Sequence, residues 1–141
     1  MASKLAESDR IREELIFFQR DFPKKKVGAV LDGRDIGSVI FADAKIKLFV
    51  TANLEVRAQR RQEDYKKMGQ EYSLRDLTLK LKERDKRDKN RKVSPLICMP
   101  DAIVFDNSQI SFERLNKEII EIVEKKYKRL NLDINVEKSV K

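Results

Sequence analysis

The stretch Val27-Gly28-Ala29-Val30-Leu31-Asp32-Gly33-Arg34-Asp35 decides the class of fold. Its first five residues form a short continuous apolar run, the pattern of a strand buried on both faces in a parallel sheet covered by helices. The run empties into Asp32-Gly33-Arg34-Asp35, and a charged turn at the carboxyl end of a buried strand is where α/β proteins place ligands. Working outward, Ile46-Lys-Leu-Phe-Val50 and Ala102-Ile-Val-Phe105 read as two further strands of the same kind. Helical patterns lie around them. From about Ser3 to Phe22, Ile11, Leu15, Phe18 and Phe22 share one face, and Pro23 ends the helix. Thr51-Ala52-Asn53 supplies an N-cap for a helix through about Lys67, closed by Gly69. A third helix begins at Ser73 and stops near Ser94-Pro95, because the residue before a proline avoids the α region. The turn Asp106-Asn107-Ser108 leads into a last helix with Phe112, Leu115, Ile119 and Ile122 inward. Residues 131–141 read as a flexible tail. Alternation of this kind predicts an α/β fold, a parallel sheet with flanking helices, although three strands are few for it.

Composition narrows the chemistry. The 141 residues amount to one domain or part of one, 40% apolar and 40% charged, with no run long enough to span a membrane. The start, Met1-Ala-Ser-Lys-Leu, has no apolar signal region, and the single Cys98 cannot form an internal disulfide, so the expected location is the cytoplasm. With no His and one Cys there is little basis for a zinc site or a His-based triad, and no metal-ligating residues are assigned. Chemistry must rest on Arg, Lys, Asp and Ser. The net charge of +8 favours an anionic partner, whether nucleic acid, lipid surface or nucleotide phosphate. Tyr65, Tyr72 and Tyr127 are scattered rather than interleaved with basic residues, which argues against nucleic acid.

A second charged stretch, Lys82-Glu-Arg-Asp-Lys-Arg-Asp-Lys-Asn-Arg91, has nine charged residues in ten. Taken alone it reads as a solvated face with i,i+4 pairs such as Asp85 with Lys89. Yet on a continuous helix Leu74, Leu77, Leu81, Arg84, Asp88 and Arg91 fall within about 100° of one another, so the core-facing stripe runs on into two arginines and an aspartate. Glu83, Asp85, Lys86, Arg87 and Lys89 point elsewhere in that register. Charges on the buried side are costly unless paired or neutralised by an anionic ligand. Arg57, Arg60 and Arg61 form a third basic group. Arginine forks clamp phosphate, and carboxylates accept hydrogen bonds from sugar hydroxyls and base amino groups, so many arginines with a few aimed aspartates is a nucleotide-phosphate composition.

The run Leu31 to Asp43, Arg57-Ala-Gln-Arg-Arg61, Lys82 to Arg91, Ser94-Pro-Leu96 and Asp101-Ala-Ile-Val-Phe-Asp106, in this order and spacing, resembles bacterial cytidylate kinase. The resemblance runs from Ser3 to about Leu130 and implies that residues 1–130 are the carboxyl-terminal part of such a domain, with a lid region at about 53–95. It implies the nucleoside monophosphate kinase fold and phosphoryl transfer from ATP, with Mg2+, to CMP or dCMP. Position by position, Ser3, Arg12 and Asp35 match residues that read the cytosine edge, and Arg84 and Asp88 match residues near the sugar. Arg34 and Arg91 match catalytic arginines at the acceptor phosphate. Arg57, Arg60 and Arg61 match lid arginines that approach ATP on closure.

One departure is large. The family carries a Gly-x-x-x-x-Gly-Lys-[Ser/Thr] phosphate loop whose backbone N–H groups and lysine hold ATP. Here the only glycines are Gly28, Gly33, Gly37 and Gly69, and none precedes a lysine. In the family the loop's strand lies between the strands matching 27–31 and 46–50, so the expected sheet is incomplete at its centre and the expected chain is inactive alone unless an amino-terminal segment complements it. Two other readings stand beside this one: a non-catalytic remnant that binds pyrimidine nucleotide, and a basic nucleic-acid-binding protein.

Overall fold

The computed structural model describes residues 9–21 and 29–129. In chain order these form α1 (Asp9–Asp21), a single-turn π-helix (Ile36–Ile40), β1 (Leu48–Thr51), α2 (Leu54–Lys67), α3 (Leu74–Asn90), β2 (Ile103–Asp106) and α4 (Phe112–Arg129). Strands β1 and β2 pair in parallel, with Leu48 opposite Ile103 and Thr51 opposite Asp106. The crossover between them is the helical hairpin α2–α3, whose two helices pack on each other. This is the α/β, helix-flanked parallel arrangement expected from the sequence.

Local chemistry accounts for the hairpin. The Asn53 side chain accepts from the N–H groups of Glu55 and Val56, capping α2, and Ser73 accepts from Asp76 N–H at the start of α3. Gly69, at φ +73°, takes the left-handed position after α2, and Gln70 N–H then donates to Tyr65 O at 2.9 Å. Tyr65 and Tyr72 pack with ring centroids 4.4 Å apart across this turn. Ala58 and Leu77 are buried on the two helices. At the other end, the Lys47 side chain is buried and donates to Ala42 O and, at 2.7 Å, to Asp101 Oδ2. That bond holds the partly exposed Asp101 carboxyl below the usual carboxylate range.

Three expectations need correction. Residues 29–31 are not a strand, and Val30 is fully exposed at 103%, while Val27 and Gly28 lie outside the described residues. An isolated apolar run has no ladder to join, and a strand without a paired neighbour has no hydrogen-bonding reason to form. The third helix ends at Asn90 rather than at Ser94, which is buried with φ +53°. Finally, the apolar face expected between Ile11 and Phe18 exists on α1 but is open, Phe18 being 72% exposed; Phe22 lies outside the described residues. Among the described residues the buried apolar side chains reduce to Ile40, Ala58, Leu77 and Phe105. The remainder of the apolar surface is only partly covered.

Among the described residues no strand pairs with the edge of β1 away from β2. Ile103 N–H donates to Lys47 O and Asn107 N–H to Thr51 O, each at 2.9 Å, which aims the backbone of residues 47, 49 and 51 at β2. Parallel pairing then turns the N–H and C=O groups of Leu48 and Val50 the other way. Leu48 and Val50 line a cleft of about 490 Å3 together with Leu31, Gly33 and Arg34.

Candidate functional site

The chain between Leu31 and the π-helix is bent through Gly33, where a Cβ would lie 2.8 Å from Ile36 Cγ1. This tight bend turns the Arg34 and Asp35 side chains toward the carboxyl end of α3. There Arg34 Nε donates to Asp88 Oδ2 at 2.9 Å, Arg84 Nε lies 3.7 Å from the same oxygen, and Arg91 Nη1 lies 3.9 Å from Asp88 Oδ1. Arg91 Nη2 in turn lies 3.9 Å from Asp35 Oδ1. Five residues singled out on the sequence, Arg34, Asp35, Arg84, Asp88 and Arg91, thus meet in one cluster. Asp35, Asp88 and Arg91 keep 13%, 13% and 15% of their side chains exposed, whereas Arg34 and Arg84 are nearly half open. Among the described residues three guanidinium groups and two carboxylates meet here. The 3.9 Å separations are too long for hydrogen bonds, so Coulomb attraction holds these pairs without fixing their geometry. Arg91 Nε also donates to Ser94 O, which ties the arginine to the buried, left-handed residue after α3.

The lid arginines divide. Arg57 makes a two-pronged pair with Asp85, at 3.0 and 2.6 Å, across the α2–α3 contact. Arg60 reaches the carboxyl end of β2, donating to Asn107 Oδ1 at 2.9 Å and Asn107 O at 2.7 Å. Both line the cleft beside β1. Arg61 does not; it lies over the Tyr65 ring with its guanidinium carbon 4.8 Å from the centroid. The Ser3 residue and the Arg12 side chain lie outside the described residues.

Asp85 corrects the sequence reading, which sent it away from the packed side and toward Lys89. It stands one turn beyond Leu81 on the ridge that meets α2, and the guanidinium there outcompetes a lysine for bidentate geometry. The hydrogen bond from Arg57 holds the Asp85 carboxyl below its ordinary value and raises Arg57 in turn. Arg57 Nε is buried without a hydrogen-bond partner among the described residues. The sign of the pH effect follows. A depressed carboxylate contributes stability that is complete above its unfolded value of about 3.9 and is lost as pH falls through the lower folded value. Urea midpoints of the wild type and Asp85→Asn should differ by a constant amount from pH 7 to about pH 4, and converge below it. A difference that persists unchanged in strong acid would contradict the pair's role.

A parallel strand pair bridged by a helical hairpin, with an arginine–carboxylate cluster beside an open cleft, fits part of a nucleoside monophosphate kinase fold. The family model for cytidylate kinase matches residues 1–125. The chain is 42% identical over 124 residues to the cytidylate kinase of Methylococcus capsulatus, covering 88% of this chain and 55% of that protein. It is 42% identical over 123 residues to that of Cereibacter sphaeroides and 43% identical over 123 residues to that of Clostridium botulinum, covering 60% and 56% of those proteins. The chain belongs to the cytidylate kinase family, and it spans little more than half the length of these curated relatives. Among the described residues no helix is long and apolar enough to cross a membrane.

Proposed function

We propose that this chain forms the acceptor-nucleotide side of a cytidylate kinase, which transfers the γ-phosphoryl group of ATP to CMP or dCMP. A phosphate oxygen of CMP forms a bond to the γ-phosphorus while the bond to the β-phosphate bridging oxygen breaks, giving CDP and ADP. Such transfer depends on positioning and on neutralising charge spread over the phosphoryl oxygens. Arg34 and Arg91 are placed to hold the acceptor phosphate, Arg84 and Asp88 the sugar, and Asp35, with Ser3 and Arg12, the cytosine edge. Arg57 and Arg60, with Arg61 beside them, are the residues toward ATP. The basic lining of the cleft, which includes Arg34, Lys47, Arg57 and Arg60, suits ATP phosphates. Among the described residues no three acidic or thiol groups converge on a metal position, so magnesium would arrive on the phosphates.

The observation that carries this reading is the convergence, at the carboxyl end of α3, of Arg34, Arg84 and Arg91 with Asp35 and Asp88, a partly buried set of forks and carboxylates of the kind that grips a nucleotide phosphate and sugar. Titration of the chain with CMP and with AMP tests it: saturable binding that favours CMP is expected. Equal affinity for both, or binding to any polyanion with a steep salt dependence, would instead favour the nucleic-acid reading.

We further propose that the cleft beside β1 takes a complementing segment that carries the Gly-rich phosphate loop, and that the 141 residues alone do not catalyse. The outward-facing backbone of Leu48 and Val50 and the non-strand conformation of residues 29–31 support this. Binding of pyrimidine nucleotide without catalysis is then the expected behaviour of the isolated chain.

A further inference from the structure

Arg20 belongs to none of the groups discussed so far. It sits in the last turn of α1, and its guanidinium crosses to the π-helix: Nε donates to Ile40 O and Nη2 to Val39 O, each at 2.9 Å. These two carbonyls close a turn whose first acceptor is the Asp35 carbonyl. Val39 N–H donates to Asp35 O at 2.8 Å, Ile40 N–H to the same oxygen at 3.1 Å, and Phe41 N–H to Ile36 O at 2.7 Å. A π-turn carries poorer backbone geometry than an α-turn and persists where something outside it fixes its ends. Here the fork of Arg20 satisfies two carbonyls at the negative end, where a cation is favoured, and Ile40 anchors the turn from the buried side. Asp35, the residue before the turn, supplies both the carbonyl at its head and the carboxylate that faces Arg91.

We propose that Arg20 is a positioning residue for substrate recognition: by clamping the π-turn onto α1, it fixes where Asp35 presents its carboxylate. Two hydrogen bonds separate the guanidinium from the Asp35 carbonyl. The same clamp joins the π-turn to the helix that bears Arg12, so two of the three residues assigned to the base, Arg12 and Asp35, lie on elements held together. The inference rests on the nucleotide reading given above for its ligand, but not for its geometry. Lysine cannot replace the fork, since it offers a point charge in place of two fixed donors.

The test uses the 141-residue chain, Arg20→Gln and Arg20→Lys, with two readouts. Amide hydrogen exchange at Val39, Ile40 and Phe41 should quicken roughly tenfold or more in Arg20→Gln, with Arg20→Lys intermediate. CMP affinity should fall by about tenfold and the preference for CMP over AMP should collapse, while affinity for inorganic phosphate, held by Arg34 and Arg91, stays within about twofold. A general loss of fold would lower phosphate affinity as well, so the preserved phosphate binding separates positioning from unfolding. Wild-type exchange rates together with a wild-type CMP preference in Arg20→Gln would overturn the proposal. If the unaltered chain does not distinguish CMP from AMP, the nucleotide reading fails, and the exchange rates still decide whether Arg20 holds the turn.

Discussion

Replacing Arg91 by alanine is expected to weaken CMP binding at least about a hundredfold. The side chain is mostly buried, faces both Asp88 and Asp35, and is tied by its Nε to the Ser94 carbonyl. Its removal takes the most buried of the three guanidinium groups out of the cluster that would meet an acceptor phosphate. Truncating one partner of a desolvated charge pair between protein and ligand costs about 2–5 kcal/mol in binding, and about 1.4 kcal/mol corresponds to a factor of ten in affinity. Asp35→Ala should lose a comparable amount through the base edge. Lys86→Ala is the control, because Lys86 is exposed and takes part in none of the cluster's ion pairs. Calorimetric titration with CMP reads all three, and equal effects across them would undo the assignment of the site.

The second large effect concerns catalysis. ADP release from ATP plus CMP should rise at least about a thousandfold when a polypeptide carrying a Gly-rich loop and its strand is supplied to the chain, since a single donor aimed at developing charge is already worth about 10²–10³ in rate. The strand is expected to pair with the outward backbone groups of Leu48 and Val50 and to give residues 29–31 a neighbour. Its lysine and amides would then hold the phosphates that Arg57 and Arg60 approach from the α2 side. A Val50→Pro variant removes the donor at the middle of the open edge and should prevent the gain. A chain that turns over ATP and CMP at full rate without any added segment would contradict this account.

The contrast between what could be read and what could not has physical causes. Helix boundaries were legible at Asn53, Gly69 and Ser73, because caps and left-handed turns depend on single residue types and act locally. The shared side of Arg84 and Asp88 was legible from helical register, which places residues on a face without knowledge of the partner, but Arg84 stays about half exposed and Arg91 reaches the cluster from an extended residue just past the end of α3 rather than from the helix. Residues 29–31 defeated the same approach: an apolar run states a capacity for strand, and only a neighbouring strand realises it. Asp85 was assigned to the wrong side because the stripe was drawn through the leucines and cut off one ridge short, and its partner lies in another helix. The π-turn after Asp35 left no periodic trace, and the bonds from Arg20 to its carbonyls run between segments that no spacing rule connects. What sequence pattern conveys well is which residues share a face; which faces meet is decided by the rest of the fold.

The most direct test of the central claim is a calorimetric titration of the 141-residue chain with CMP and AMP at two salt concentrations. The account predicts one saturable site that prefers CMP by at least about tenfold, roughly the discrimination that one well-placed charged hydrogen bond to the base provides. That preference should survive the higher salt, because it arises at part-buried groups that salt screens little. Binding that does not distinguish the two nucleotides, or that vanishes as salt rises, would contradict it.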